Sequence, residues 1–221
     1  SGLEVVLVEA AGADLLVYSK DREYFLDFKG MLSYLNGEER AMISLQRNSL
    51  HYYQRSDASA YLGVDSTLRS LSGTGGYLSA GRLGNKRFIF SEKISWWSPG
   101  FDLNDAGYLL MADVIENQSS LGIRQTKPGK ILRNYTLMMG QKNSWTFGGL
   151  ATYNDLSIQF RTQFANRIDL SLSESYVFYE LNTRLLRGGP SFRLSPSWKN
   201  AIVFSTDKSK RIIFSLENTS S

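Results

Sequence analysis

Between Asp102 and Asp113 the oxygen-bearing side chains fall at intervals that raise a question about metal binding. Asp102, Asn104 and Gly107 occupy positions one, three and six of a calcium loop, with Asp113 at twelve. Position five is Ala106 and the closing bidentate glutamate is missing, so the pattern lacks oxygens a calcium ion needs, and no metal is assigned. Asp102, Asn104 and Asp105 are expected instead to turn the chain by side-chain to backbone hydrogen bonds, in a loop shaped by Pro99 and Gly100. His51 is the sole histidine; with no second histidine and no cysteine it cannot build a zinc site, and no Gly-x-Ser-x-Gly elbow supplies a nucleophile. It is expected at a rim or in a sheet beside Tyr52 and Tyr53. Any two carboxylates can be folded to glycosidase spacing, and nothing in the sequence selects a pair. No catalytic residue is therefore assigned, and the balance is against an enzyme.

Two further groups have chemistry to offer. Arg184 and Arg187 lie in Thr183 to Pro190, which reads as an ordered loop held by arginine hydrogen bonds rather than a phosphate cradle, because no helix follows it. Trp96, Trp97, Trp145 and Trp198 sit near expected strand ends, where tryptophan anchors a membrane interface or stacks on a sugar, the direction of the indole separating the two. The candidate binding residues are Asp102, Asn104, Asp105, Arg184, Arg187 and Trp145, and no cofactor is implied.

The elements that must carry these residues read as strands. In Glu23 to Leu35 one face holds Tyr24, Leu26, Phe28, Gly30, Leu32 and Tyr34, a period-two pattern slightly longer than the ~9–11 residues a tilted strand needs to cross a bilayer core. Leu156, Ile158, Phe160 and Phe164, then Ile168, Leu170, Leu172, Tyr176 and Phe178, form a hairpin about Asn166, and a last hairpin turns at Asp207 to Lys210. Asn36-Gly37, Gly84-Asn85 and Pro128-Gly129 are reversing dipeptides. The spacing predicts an all-β, antiparallel up-and-down meander of roughly ten to twelve strands in one domain over 1–221, a transmembrane β-barrel or a large part of one. Glu38 to Leu50 fits a short helix and a strand comparably. Arg133 is placed near a rim, and Glu92, interrupting Phe88, Phe90, Ile94 and Trp96, marks a bulge or a face turned toward protein. Bases such as Arg161 and Lys29 are expected to pair with Asp27, Asp169 and Glu180 and narrow the interior.

Composition sets the outer limits. Cysteine is absent, which removes disulfide and thiolate chemistry. The formal charge of +4 is dispersed rather than gathered into arms, which argues against nucleic acid as a partner. No apolar run reaches the roughly 18 residues of a transmembrane helix, and the first residues carry no signal-peptide pattern.

Four motifs in order carry a resemblance: Ser98-Pro-Gly-Phe-Asp-Leu-Asn-Asp-Ala-Gly-Tyr108, Arg133-Asn-Tyr135, Asn143-Ser-Trp-Thr-Phe-Gly-Gly149, and Thr183-Arg-Leu-Leu-Arg-Gly-Gly-Pro190 followed by Ser205-Thr-Asp-Lys208. The chain resembles the uncharacterised β-barrel domain that follows a family-9-like carbohydrate-binding domain in large outer-membrane proteins of Gram-negative bacteria. That resemblance implies the cell outer membrane as location, its lipid as a partner, and glycan or other envelope subunits as further partners, in a structural, binding or transport role in glycan handling or envelope assembly. Leu109-Leu110-Met111 stands where that family carries basic residues, and the carbohydrate-binding domain is not in this chain. Its first strands also lack a counterpart, so the chain is expected to be part of a longer polypeptide, closed by further strands or a partner, because open edges in lipid cost several kcal/mol per group. Short turns such as Asn166-Arg167 are expected on the periplasmic side. The alternatives are a soluble β-sandwich carbohydrate-binding module and a membrane-anchored glycan hydrolase with its catalytic residues in loops such as Ser98 to Tyr108.

Overall fold

A computed structural model describes residues 6–58, 60–82, 86–103, 109–206 and 214–220. Alternating side chains with frequent Tyr, Phe, Ile, Leu and Val favour extended backbone, and the strands are β1 (Val6–Tyr18), β2 (Tyr24–Gly37), β3 (Ser70–Arg82), β4 (Phe88–Trp97), β5 (Val114–Gln125), β6 (Leu132–Trp145), β7 (Ala151–Phe164), β8 (Asp169–Asn182), β9 (Phe192–Leu194), β10 (Ser197–Ser205) and β11 (Ser215–Ser220). They form one antiparallel sheet in meander order, with β9 set beside β8 off the main path. The expected all-β, up-and-down architecture is thus found. The sheet is not closed: β1 and β11 end the path.

The register divides the wall into two unlike faces. Leu78, Ile94, Asn117 and Asn143 are successive cross-strand partners, as are Phe90, Leu121, Met139 and Ile158, and as are Leu137, Phe160, Leu172 and Ile202. This face carries most of the large apolar side chains, with Glu92, Asn117, Ser119, Gln141, Asn143 and Glu174 set among them, and it is open: Leu121 is 61% exposed, Met139 60% and Ile158 43%. On the opposite face the partners Ser91, Ser120, Gly140, Ser157, Ser175 and Lys199 form a row of small and polar residues, flanked by Lys93, Gln118 and Gln159. Hollows of about 490 and 590 Å³ share Ser120, Gly140 and Ser157 in their lining, so this polar face is the concave one.

Long connections gather at one end of the sheet and short ones at the other. Residues 19–23, 126–131 and 165–168 are tight, with Arg167 at φ 64 and its N–H donating to the Phe164 carbonyl over 2.9 Å. Pro128-Gly129 reverses the chain as expected, the Gly129 N–H donating to Leu132 O over 2.8 Å. Gly84-Asn85 and the turn at 207–210 lie outside the described residues. Asn36-Gly37 closes β2 instead of making a hairpin, because α1 (Glu39–Arg47) follows at once. Helix wins over strand in Glu38 to Leu50 because Ala41, Met42 and Leu45 share a helical face; Met42 packs with Leu35, Tyr53 and Leu71, and Leu45 lies against that cluster. Arg133 sits where the β6–β7 register slips between Leu132 and Asn134, at the short-turn end. Glu92 stays in unbroken register on the apolar face, without a bulge, and accepts a hydrogen bond from the Asn117 amide.

Candidate functional site

Residues 38–69, 98–103, 109–113, 146–150 and 183–191 converge at the long-loop end into a cap. Its packing depends on two strand glycines: a Cβ at Gly73 would stand 2.1 Å from the Phe101 backbone nitrogen, and one at Gly75 2.5 Å from the Phe101 ring. Their absent side chains let the start of the 98–108 loop close onto the concave face, burying Phe101 completely enough to leave 1% exposed. The Ser98 hydroxyl then accepts the Thr74 N–H over 2.7 Å and Ser98 N–H donates to Thr74 O over 2.8 Å.

Two acid–base pairs lock the cap. Asp102 takes its own backbone N–H to Ser33 Oγ at 3.1 Å, while its carboxylate faces His51 Nε2 at 3.3 Å. His51 Nδ1 stands 2.7 Å from the Pro99 carbonyl, which can only accept, so this nitrogen carries a proton. His51 is therefore buried in the cap by loop 98–103, not at the rim or in the sheet, because both ring nitrogens find partners there. Asp113, at φ 61, receives Arg55 Nη2 at 2.5 Å, the Tyr61 hydroxyl at 2.6 Å and the Phe147 N–H at 2.9 Å. Burial pushes the Tyr61 hydroxyl above its ordinary range, and the bond to Asp113 pushes it further. Burial raises Tyr53 as well, followed by the Asp113 charge.

The candidate residues separate in space. Arg184 fastens the 183–191 loop to the cap through the Ser49, Leu50 and Ala112 carbonyls, the last two at 2.8 and 3.2 Å, with Tyr52 5.8 Å from its guanidinium. Burial, then the neighbouring Arg55 charge, pulls Arg184 down to about 10. Arg187 adopts φ 50 in the same loop and donates its N–H to Arg184 O over 2.9 Å. Asp102 joins His51 in the cap, whereas Asn104 and Asp105 lie outside the described residues. Trp145 stands on the apolar face in a row with Trp96 and Ile115, turned away from Asp102 and Arg184. Trp198, also on that face and 57% exposed, donates to Glu174 over 2.6 Å. These directions turn Trp96, Trp145 and Trp198 away from the concave side, whereas Trp97, paired with Gly75 and Val114, lies on it.

Register assembles a group that no motif announced. Glu116, Ser144, Tyr153 and Glu180 are cross-strand partners on β5, β6, β7 and β8, side by side on the concave face under the cap. Two irregularities create the row. Thr152 is passed over between the Ser144–Tyr153 and Trp145–Ala151 pairs, and Phe178 between Asn154–Tyr179 and Asp155–Val177. The extra residue at Phe178 reverses the parity of β8, so Glu180 turns inward although it shares even numbering with the outward Leu170, Leu172 and Tyr176. Together with Asp113, Lys142, Asn182 and Arg184 the row lines a cavity of about 290 Å³. Lys142 Nζ pairs with Glu116 at 2.6 Å, and the Tyr153 hydroxyl donates to Asp155 over 2.9 Å. Among the described residues no three His, Cys, Asp or Glu side chains converge as a metal site.

An open antiparallel meander, polar on its concave side and capped at one end, is the class of protein these features define. Residues 40–220 match a family described as Domain of unknown function (DUF5916), and the chain belongs to that family. No curated protein and no solved structure matches it.

Proposed function

We propose that this chain is the membrane-embedded wall of an outer-membrane β-barrel, non-enzymatic, with a binding or transport role carried out on its concave polar face. The carrying observation is the inverted sheet: the apolar face is open while the serine-rich face is concave. Large exposed apolar side chains are uncommon in such number on soluble monomers, and Leu15, Leu32, Leu78, Phe90, Leu121, Met139, Ile158 and Leu216 recur on this face from β1 to β11. A soluble sandwich would cover it with a second sheet, which the described residues do not contain. Strands of 12–14 residues from β5 to β8 exceed the ~9–11 that a tilted strand needs to span. Short turns at one end and long loops at the other follow the bacterial barrel pattern, with the cap outward. No helix is long and apolar enough to cross a membrane. Both free edges require strand partners in lipid, since each unpaired backbone group there costs several kcal/mol.

Binding is favoured over glycan hydrolysis because two of the three carboxylates in the lining are already engaged, Asp113 by Arg55, Tyr61 and the Phe147 N–H, and Glu116 by Lys142 and the Gln118 amide. The reading is tested by spin labels along β5 and β7 of the protein in lipid vesicles. Positions 121 and 158 are expected to be accessible to oxygen and shielded from a water-soluble relaxation agent, and positions 120 and 157 the reverse. Equal access to the aqueous agent on both faces would overturn it.

A further inference from the structure

We infer that the cavity over the Glu116–Ser144–Tyr153–Glu180 row is a binding site for a neutral polyhydroxylated ligand, a single sugar unit, free or at the end of a glycan chain. The inference rests on the concave face being the watery side of the wall.

The argument is an inventory of what the lining groups have left to offer. Asp113 is spent on Arg55, Tyr61 and the Phe147 N–H. Glu116 is spent on Lys142 and the Gln118 amide, and the Arg184 guanidinium on three backbone carbonyls. Besides the Thr152 and Thr183 hydroxyls, four groups in the lining keep hydrogen-bonding capacity among the described residues. The Glu180 carboxylate has no ion pair or side-chain hydrogen bond, and neither has the Ser144 hydroxyl, although Ser144 is only 7% exposed. The Asn182 carbonyl oxygen accepts the Arg184 and Leu185 N–H groups at 2.9 and 2.8 Å, which leaves its amide hydrogens to donate. Lys142 keeps donors beyond the one given to Glu116.

The offer is thus both acceptors and donors, close together, with Lys142 and Arg184 set beside the carboxylates. An anion would meet Glu180 uncompensated. A divalent cation would meet Lys142 and Arg184, with the other carboxylates already engaged. Vicinal hydroxyls, each able to donate and accept, match the set, and Tyr153 lines the same space with Lys142 Nζ 5.6 Å from its ring centroid. The volume, about 290 Å³, lies just below the ~300–1,000 Å³ typical of drug-sized ligands and suits one small unit. The parity reversal at Phe178 is what turns Glu180 into this space, and bulges are over-represented where a side chain is re-aimed at a site.

Titration of the full chain in detergent micelles tests this, with ligand-observed NMR against glucose, galactose, N-acetylglucosamine, maltose and cellobiose, and with glucose 6-phosphate and calcium chloride as charged probes. At least one neutral sugar is expected to bind saturably, with affinity falling tenfold or more in Glu180→Gln and in Ser144→Ala. Both variants are expected to keep the wild-type fold, because neither group holds a partner. The phosphorylated sugar is expected to bind more weakly than glucose, and calcium is expected not to compete. Binding by none of the neutral sugars, stronger binding of the phosphate, or binding that survives both substitutions would overturn the inference. A positive titration combined with equal water access on both faces in the spin-label experiment would sink the membrane reading and leave this site standing. The opposite combination would do the reverse. A bacterial glycan carrying the preferred unit, compared with the free sugar, separates the two sources.

Discussion

The cap and the wall solve the same problem in opposite ways. In the cap, Met42, Phe101, Leu50 and Ala112 are buried and the ionisable Arg55, Asp113, His51 and Asp102 are buried with them, each base set against an acid. In the wall, large apolar side chains are the exposed ones and the concave side carries serine, glutamine and lysine. A chain folding in water buries apolar surface first, worth about 25 cal/mol per Å². The cap obeys that rule and the wall breaks it. The contrast teaches that the cap is held by ordinary core packing against the ends of β2 and β3, whereas the wall leaves its large apolar side chains open, as the membrane proposal expects.

The most severe way to break the comparison is within the cap. Asp113→Ala leaves the Arg55 guanidinium buried without its carboxylate, and loss of one partner of such a pair costs about 3–5 kcal/mol. Hydrogen exchange is expected to show residues 50–62 losing protection while β6 and β7 keep theirs; unchanged exchange in the cap would refute the lock. A charge on the wall comes next. Ile158→Arg, at the middle of β7 on the open face, is expected to cost about 2–4 kcal/mol of folding stability in vesicles, where lipid meets that side chain. Ser157→Arg, one residue away on the concave face, is expected to cost far less, and equal costs would erase the distinction between the faces.

Alkaline pH should separate the two regions by a smaller amount. Tyr53 and Tyr61 are raised in the folded state by burial and by Asp113, so the stability tied to their protons is complete below about pH 10, the unfolded value, and is lost as pH rises through the higher folded values. Arg184 runs the other way, since its folded value of about 10 lies below the unfolded one and the cost of burying its charge falls as pH climbs past it. Two tyrosines outweigh one arginine, so the cap is expected to loosen above pH 10, by ultraviolet difference spectroscopy of tyrosine ionisation. Tyr61→Phe is expected to shrink the effect. The smallest change is at the cap's outer surface, where Arg69 and Glu39 bond at 3.0 Å with side chains 74% and 49% exposed. Arg69→Ala is expected to cost under about 1 kcal/mol in chemical denaturation, because water screens exposed pairs. A larger loss would make that surface part of the lock.

Much of the wall was legible from alternation. The stretch Glu23 to Leu35 falls in β2 from its second residue onward, and the hairpin about Asn166 joins β7 to β8, because a period of two is a local property that needs no knowledge of neighbours. The reading of Thr183 to Pro190 as a loop held by arginine also corresponds to what Arg184 does. The helix at Glu39–Arg47 stayed open against a strand, since its choice hangs on Leu35, Tyr53 and Leu71, residues outside the segment. Trp145 drew attention by type, yet its direction is set by pairing with Ile115.

The row Glu116, Ser144, Tyr153 and Glu180 had no signal to find. Its members are ordinary residues scattered over four strands, and the shift at Phe178 appears in no pattern of the chain. What the sequence by itself determined is the alternation of the main strands, their antiparallel succession and the absence of cysteine chemistry, all consequences of local composition and spacing. What only the tertiary structure decided is which residues share a row and which buried charges meet. Register and loop closure bring together atoms that are distant along the chain, and a single slipped residue exchanges one face for the other.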